Sequence, residues 1–369
     1  IKIGDERLLP AFKVLLKDAQ KALETTPPTV TDKKRHPVSG ILNDYYTQAP
    51  YLWPDPSKPD GFPYLPKDGV INPESRQPDF VDYSRGGQIG QLVDALALAY
   101  YLTDEERYAE HAARCLKVWF IEPATRMNPH LKYAQAVPGR NEGRAIGIIE
   151  AGGIVQAVDA AGLLNGSPHW KTEDRAALRQ WTSEFLDWLL FSDYGIEEVQ
   201  MRQNHGTMFD VRVVLLALSL GKYELARETL KSVKWNRIAL QIEPDGAQPM
   251  ELRRTKSFNY SEMNLSGLLL LATLGEWLNV DLWNFETEDG RSIRRALEFV
   301  RPYVEERPEG WPPRVWPYEQ IVPFRPEIFA PAFRMAAVGY QDKEFEAIVE
   351  QFENARDARF QITHPAGAF

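Results

Sequence analysis

The 369-residue chain has one cysteine, Cys115, so no disulfide can form within it. It has no excess of basic residues either: its formal net charge is −9, which argues against nucleic acid or an anionic membrane as a partner. No run of about 20 apolar residues predicts a membrane span. The six histidines show no metal-ligand spacing and no acidic cluster resembles a calcium loop, so we expect no metal and no other cofactor.

The sequence also lacks the common motifs of nucleophilic and nucleotide-dependent enzymes. No G-x-S-x-G elbow, Walker loop or G-x-G-x-x-G motif is present. Cys115 lies on an apolar helical stripe, which disfavours it as a nucleophile. The first residue is Ile1 rather than Met, so we expect a processed or trimmed N-terminus.

Helical periodicity is abundant instead. Apolar residues recur at intervals of three and four, as in Ile89, Leu92 and Leu96, and no convincing set of alternating strands is present. Thr103 and Glu106 form a capping box that predicts one helix start. The predicted helices pair, with starts near residues 84 and 104, 141 and 172, 207 and 222, 260 and 289, and 324 and 343. Such hairpins without a fixed-length repeat predict an all-α fold, an α/α toroid or incomplete barrel.

Two long segments interrupt the helices within what we expect to be a single domain, residues 1–369. Residues 43–80 contain many prolines, four tyrosines and a tryptophan, and Arg307–Pro323 is also rich in proline and tryptophan. A loop of this length is usually functional or disordered, and its aromatic content argues against disorder. The aromatic rings suit stacking on sugars, although any single ring can equally be a plug in the core.

Polar residues cluster at three predicted helix entrances. They are Asn204-His205 before the apolar run Val211–Leu220, the stretch Glu251–Glu262, and the stretch Gln135–Arg144. Arginine in the first turn of a helix is mismatched to the helix dipole unless an anion binds there. Each set alone is compatible with an ordinary structural role. Together they predict a basic cleft surrounded by helix N-termini, which favour anions.

Four stretches resemble the alginate-lyase-type polysaccharide lyases, the group that contains polysaccharide lyase families 5 and 38. These are DYYTQAPYLWPDPSKPDGFPY, which leans towards family 38, then MNPHLKYAQAVPGRNEGRAIGIIEA, NHG and RRTKSFNY, in that order. In these lyases an Asn-His pair is followed by an arginine and, seven residues later, by a tyrosine. Asn204, His205, Arg253 and Tyr260 reproduce this pattern, and Arg254 is a competing choice for the arginine.

The resemblance, which covers most of residues 40–280, implies β-elimination at a 4-linked uronic acid. A base removes the proton at C5 and O4 leaves, so that an unsaturated sugar forms. Asn204, His205 and Arg253 would neutralise the carboxylate beside C5, as an oxyanion hole does. Tyr260 would move the proton, because a neighbouring guanidinium favours the phenolate.

The stereochemistry of the sugar narrows the implied substrate. In mannuronate and glucuronate H5 and O4 lie on the same face of the sugar ring. A single tyrosine can therefore take the proton from C5 and deliver one to O4 in a syn elimination. Guluronate needs anti elimination, with His205 as the base. We therefore expect an anionic polysaccharide partner, either mannuronate-rich alginate or a glucuronate-containing chain, a periplasmic or secreted location, and a lid formed by residues 43–80. The expected substrate-binding residues are Tyr45, Tyr46, Trp53, Gln135, Arg140, Arg144 and Arg254.

Two alternatives remain open at this point. The first is an α/α-toroid glycoside hydrolase that uses a carboxylate pair such as Glu142 and Asp245, and its products would carry no double bond. The second is a non-catalytic binder of acidic polysaccharide, which would use the same basic and aromatic cleft. The sequence decides neither endo versus exo cleavage nor the oligomeric state.

Overall fold

The structure is a computed structural model that describes residues 6–306, 314–352 and 360–365. Part of the second proline-rich segment, residues 307–313, lies outside the described residues. The chain divides into two compact units. Unit 1 comprises Leu16–Gln200 and Leu215–Lys222. Unit 2 comprises Met201–Val214, the described residues from Tyr223 onward, and the segment before Leu16.

Helices form most of the secondary structure in both units. In chain order they are α1 Leu9–Leu23, α2 Tyr83–Thr103, α3 Glu106–Leu116, α4 Gly152–Ala160, α5 Thr172–Phe191, α6 Asp193–Val199, α7 Asn204–Ser219, α8 Tyr223–Val233, α9 Ala239–Gln241, α10 Pro249–Leu252, α11 Ser257–Trp277, α12 Ile293–Val304, α13 Ala330–Tyr340, α14 Lys343–Glu350 and α15 Phe360–Thr363. Two π-helical turns, Lys117–Ile121 and Lys234–Ile238, extend α3 and α8. A 3-10 helix at Ala145–Ala151 leads into α4.

In unit 1 the helices pack closely because small residues line the contact between α2 and α4. A Cβ atom placed on Gly90 of α2 would lie 2.7 Å from the Cα atom of Gly153 on α4, so both backbones need glycine there. Ile89, Val93 and Leu96 of α2 are almost completely buried. This stripe follows the predicted helical period, and it forms part of the core of unit 1.

The segment 43–80 contains short strands that the sequence analysis does not predict. Strand β1, Tyr46–Gln48, pairs in parallel with β4, Tyr133–Ala136. Strand β2, Leu52–Trp53, pairs antiparallel with β3, Leu65–Pro66. Because strands of two to four residues are too short to show an alternating pattern, their sequences give no strand signal. Pairing with β4 anchors the start of the segment in unit 1, and its function as a lid stays a prediction.

In unit 2 the long helix α11 occupies the centre of the packing. It contacts α10, α12 and α13, and its middle residues Leu265, Leu268 and Leu271 are completely buried. A helix that is apolar on nearly all sides is expected in such a central position. The first turn of α11 is the polar exception, and it carries Tyr260.

The predicted capping box at Thr103 is wrong. Thr103 is the last residue of α2, and its hydroxyl donates to the carbonyl of Ala99 at 2.7 Å. Asp104 then adopts a left-handed conformation with φ of 59°, which ends the helix, and α3 begins at Glu106 without a side-chain cap. The Thr103 oxygen also accepts the N–H of Glu105 at 3.2 Å, but Glu105 is itself the N-cap residue, so Thr103 stands too early to cap the first turn of α3.

One helical stretch of the described chain, Ala145–Leu164, is long and apolar enough to cross a membrane by length and composition alone. In its most apolar window, 56% of the residues are buried inside the protein. The core helix of a soluble protein has the same properties, so this stretch is weak evidence for a membrane span.

Candidate active site

Helix α7 begins at the Asn-His pair. The side-chain oxygen of Gln203 accepts the backbone N–H of His205 at 2.9 Å and so satisfies one unpaired donor of the first turn. Asn204 is 1% exposed, whereas His205 is half-buried. A Cβ atom on Gly206 would lie 2.9 Å from Cζ of Arg237 and would also clash with the carbonyl of Met201. Gly206 is therefore explained by this close packing within the protein.

Arg237, on a π-helical turn, supports the start of α7 through a buried ion pair. Its Nε and Nη2 atoms donate to the two carboxylate oxygens of Asp210 at 2.8 and 3.1 Å. Both side chains are about 4% exposed, and burial raises the pKa of Asp210 to about 6. Because this pairing is bidentate, it fixes the orientation of the guanidinium that packs against Gly206.

Asn204 is held by a carboxylate that the sequence analysis did not select, Glu251 of α10. The backbone N–H of Asn204 donates to Glu251 Oε1 at 2.6 Å, and its side-chain Nδ2 donates to Glu251 Oε2 at 2.8 Å. Glu251 is 1% exposed. Burial raises the pKa of its carboxyl to about 7, although the hydrogen bonds from Asn204 and the charge of Arg254 oppose that rise.

A network of buried amides lies on the other side of this turn. Nδ2 of Asn264, on α11, donates to the side-chain oxygens of Gln241 and Gln248 at 2.9 and 2.7 Å. The hydroxyl of Thr207 donates to the same oxygen of Gln241 at 3.0 Å. These bonds tie α7, α9 and α11 together, and buried polar groups paired in this way specify one arrangement.

The structure pairs Tyr260 with Arg254. Nη2 of Arg254 donates to the phenol oxygen of Tyr260 at 2.7 Å, and its guanidinium carbon lies 3.8 Å from the centre of the same ring. Arg253 ends α10 and is exposed, with a long contact of 3.8 Å from its Nη1 to the sulfur of Met250. Of the two arginines, Arg254 can therefore favour a Tyr260 phenolate in this structure.

Residues 316–320, in the second proline-rich segment, hold the first turn of α11 in place. Ser257 donates to the carbonyl of Glu319 through its backbone N–H at 3.1 Å and its hydroxyl at 2.7 Å. The side-chain oxygen of Gln320 accepts the N–H of Phe258 at 3.1 Å, and Trp316 donates from Nε1 to the Ser257 hydroxyl at 2.7 Å. This segment fixes the turn that carries Tyr260, and its density of aromatic residues was the available signal.

In unit 1, Gln135 and Arg144 form a second polar cluster. Nη2 of Arg144 donates to the side-chain oxygen of Gln135 at 2.6 Å. Gln135 has a positive φ of 52°, which is strained for a residue with a side chain, and its N–H donates to the Thr47 hydroxyl at 2.7 Å. Thr47 in turn donates to Glu150 Oε2 at 2.7 Å, and burial raises the pKa of Glu150 to about 7.

The other predicted binding residues of unit 1 differ in exposure. Tyr45 is completely buried and its hydroxyl donates to Glu150 at 3.3 Å, and Tyr46 is 4% exposed. A ring enclosed by protein has no face for a sugar, so the structure does not support stacking on either tyrosine. Trp53 is half-buried and donates from Nε1 to the carbonyl of Val70 at 2.9 Å, whereas Arg140 is exposed.

Two negative findings concern alternative chemistry within residues 6–306, 314–352 and 360–365. No group of three or more His, Cys, Asp and Glu residues there could hold a metal ion. Cys115 is buried, and burial raises the pKa of its thiol to about 12. A thiol that stays protonated is a poor nucleophile.

The sequence and the fold are both similar to those of known alginate lyases. Residues 29–311 match the family model described as alginate lyase. The chain belongs to the alginate lyase family. It is 38% identical to an alginate lyase from Bacteroides ovatus with a crystal structure, and the match covers 98% of this chain and 95% of that one with a TM-score of 0.92. No curated protein matches the sequence.

A more distant solved structure shows the fold alone. The A1-III alginate lyase, as a histidine-to-alanine variant in complex with a tetrasaccharide, is 16% identical, with 82% of this chain and 78% of that chain covered and a TM-score of 0.50. With the Bacteroides ovatus match, the all-α fold class with an α/α toroid is confirmed. As a member of the alginate lyase family, the protein is a polysaccharide lyase, which is a carbon–oxygen lyase. The alternative of a glycoside hydrolase is not favoured.

Proposed function

We propose that this chain cleaves 4-linked mannuronate or glucuronate polymers by syn β-elimination, with Asn204, His205, Arg254 and Tyr260 as its catalytic residues. The observation that carries the proposal is the hydrogen bond of 2.7 Å from Arg254 to the phenol oxygen of Tyr260. Because the alginate lyase from Bacteroides ovatus resembles this chain over nearly its whole length, we also take alginate as the first polymer to test.

In the proposed reaction the Tyr260 phenolate takes the proton from C5 of the uronate. The electron pair forms the C4–C5 double bond, the bond from C4 to O4 breaks, and the new Tyr260 phenol delivers a proton to O4. Asn204 and His205 donate hydrogen bonds to the carboxylate while negative charge builds on it, which lowers the barrier as an oxyanion hole does. Arg254 stabilises the phenolate before the reaction.

Substrate binding is assigned to the Gln135–Arg144 cluster and to Trp53. Arg144 carries its charge beside Gln135, and a guanidinium suits a uronate carboxylate. Arg140 is exposed and can add a second cation. Because the substrate is a polymer, we place the enzyme in the periplasm or outside the cell.

A panel of four polymers tests the proposal: polymannuronate, polyguluronate, glucuronan and hyaluronan. The measurement is the ultraviolet absorbance of the conjugated unsaturated uronate together with a count of new reducing ends. We expect both signals to rise on polymannuronate or glucuronan, with little change on polyguluronate. New reducing ends without absorbance would indicate a hydrolase, and cleavage of polyguluronate alone would indicate anti elimination with His205 as the base.

A further inference from the structure

Glu251 is a buried carboxylate that the proposed mechanism does not use directly. It lies on the four-residue helix α10, two positions before the C-cap residue Arg253. Both of its oxygens accept hydrogen bonds from one residue, Asn204, at 2.6 and 2.8 Å. Two bonds to the same neighbour fix both the backbone and the side chain of that neighbour, which a single bond would not do.

This arrangement determines what the amide of Asn204 can offer to a substrate. An amide nitrogen carries two N–H groups, and Glu251 accepts one of them. In the proposed mechanism the second N–H is the donor to the uronate carboxylate. Without Glu251 the side-chain amide of Asn204 could rotate by about 180°, so that its oxygen and nitrogen exchanged places. The amide oxygen would then face the substrate carboxylate.

The Glu251 carboxylate also interacts electrostatically with Arg254, which contacts Tyr260. Arg254 follows α10, its backbone N–H donates to the carbonyl of Glu251 at 3.0 Å, and its positive charge opposes the rise in the pKa of Glu251 that burial causes. The groups that act on the Glu251 carboxyl are thus the two donors of Asn204 and the guanidinium of Arg254. Both belong to residues that we assign to catalysis.

We propose that Glu251 is the positioning residue of this elimination site: its carboxylate fixes the Asn204 amide so that one N–H faces the substrate carboxylate. The proposal rests on the proposed function, since it acts through Asn204. Glu251 is 1% exposed, so it acts through Asn204 and not on the substrate itself. Its loss should therefore act on the transition state, in which the charge on the substrate carboxylate is largest, more than on substrate binding.

A double-mutant cycle of Glu251→Gln and Asn204→Ala tests the proposal. Glutamine keeps the shape of Glu251, but its NH2 group then meets an N–H of Asn204, so one of the two bonds is lost. We expect Glu251→Gln to lower kcat about 100-fold with KM changed less than about threefold. In the Asn204→Ala background the same change should cost less than about twofold, because the residue through which Glu251 acts is gone.

A pH profile gives a second readout that a purely structural role would not change. Since burial raises the pKa of Glu251 to about 7, wild-type kcat should fall as the pH drops through that value. In Glu251→Gln this fall in kcat near pH 7 should be absent, whereas any pH dependence of kcat that other groups cause should remain. The matched control is Glu262→Gln on α11, another carboxyl whose pKa burial raises, bonded to Ser266 at 2.6 Å. We expect the control to keep wild-type kcat within about twofold.

If Glu251→Gln does not fold, the cycle is run with Glu251→Asp, which keeps the charge but is one methylene shorter and cannot reach both donors. The proposal would be overturned if the change at Glu251 lowered kcat by the same factor with and without Asn204→Ala. It would also be overturned if Glu251→Gln alone kept the wild-type kcat. Tyr260→Phe separates this failure from failure of the proposed function. An inactive Tyr260→Phe beside a fully active Glu251→Gln rejects only the positioning role, whereas an active Tyr260→Phe rejects the mechanism itself.

Discussion

Units 1 and 2 each bury a glutamate beside candidate site residues, and the two are held by different partners. Glu150 of unit 1 accepts from the hydroxyls of Thr47 and Tyr45 at 2.7 and 3.3 Å. Glu251 of unit 2 accepts two N–H groups from Asn204. Burial raises the pKa of both carboxyls to about 7, and the hydrogen-bond donors and charges that oppose this rise are different in the two cases.

These connections predict different functions for the two glutamates. Glu150 is linked to Gln135 through the Thr47 hydroxyl, and its charge also acts on Arg144. We assign Gln135 and Arg144 to substrate binding. Glu251 contacts directly a residue that we assign to catalysis. A change at Glu150 should therefore act mainly on KM and a change at Glu251 mainly on kcat.

A large effect should come from the Asn204-His205 pair in unit 2. We expect His205→Ala to lower kcat on polymannuronate or glucuronan by about 1,000-fold, because a donor to the charge that develops on the carboxylate is lost. His36→Ala, an exposed histidine of unit 1, is the control and should leave kcat unchanged. Steady-state kinetics followed by product absorbance is the measurement, and a His205→Ala variant within tenfold of wild type would remove His205 from the mechanism.

The two adjacent arginines of unit 2 come next. Arg254→Ala should lower kcat about 100-fold, because the guanidinium that lies beside the Tyr260 oxygen is lost. Arg253→Ala should change kcat less than about twofold, because Arg253 is exposed and its contact with Met250 is long. The same assay decides between them, and the opposite order of effects would return the catalytic assignment to Arg253.

Glu150→Gln tests the comparison in unit 1. Loss of its charge weakens the support of Gln135 and Arg144, so KM should rise about tenfold, equivalent to about 1.4 kcal/mol, with kcat within about twofold. Initial rates over a range of polymer concentrations separate the two constants. A fall in kcat with unchanged KM would show that Glu150 and Glu251 do not differ in the way that their contacts suggest.

The smallest expected effect concerns stability. The pKa of the Glu150 and Glu251 carboxyls is about 4.5 when unfolded and about 7 when folded, so the folded state binds their protons more tightly. Their contribution to the free energy of unfolding is complete below about pH 4.5 and is lost as the pH rises through 7. Urea unfolding between these values should show a shallower pH dependence in either Gln variant, and unchanged slopes in both would contradict the raised pKa values.

The helices were largely predictable because their apolar stripes are long. Predicted starts near residues 84, 172 and 343 coincide closely with α2, α5 and α14. Helix α1 has no predicted counterpart, because its buried face is formed partly by the small residues Ala11 and Ala19, which give a weak periodic signal. Short strands such as β1 depend on pairing with a distant segment, and local sequence does not report such pairing.

The candidate site was predictable in its residue types and less so in its contacts. The Asn-His pair and Tyr260 follow from motif order. The seven-residue spacing selected Arg253 and left Arg254 as a competing choice, whereas in the structure it is Arg254 that donates to the Tyr260 oxygen. Glu251 is the first residue of the polar stretch Glu251–Glu262 and gives no sequence signal of its own, since its role depends on burial against Asn204. Tyr45 is completely buried, and its sequence context does not distinguish it from an exposed aromatic residue.

The most direct test of the central claim is the turnover of Tyr260→Phe on a polymer that the wild type cleaves, measured by product absorbance, with substrate binding measured in parallel. The substitution removes one oxygen from a ring that is 8% exposed, so the fold should be retained. The account predicts near-complete loss of unsaturated product, about 1,000-fold or more, with substrate affinity largely kept. Wild-type formation of unsaturated product by Tyr260→Phe would contradict it.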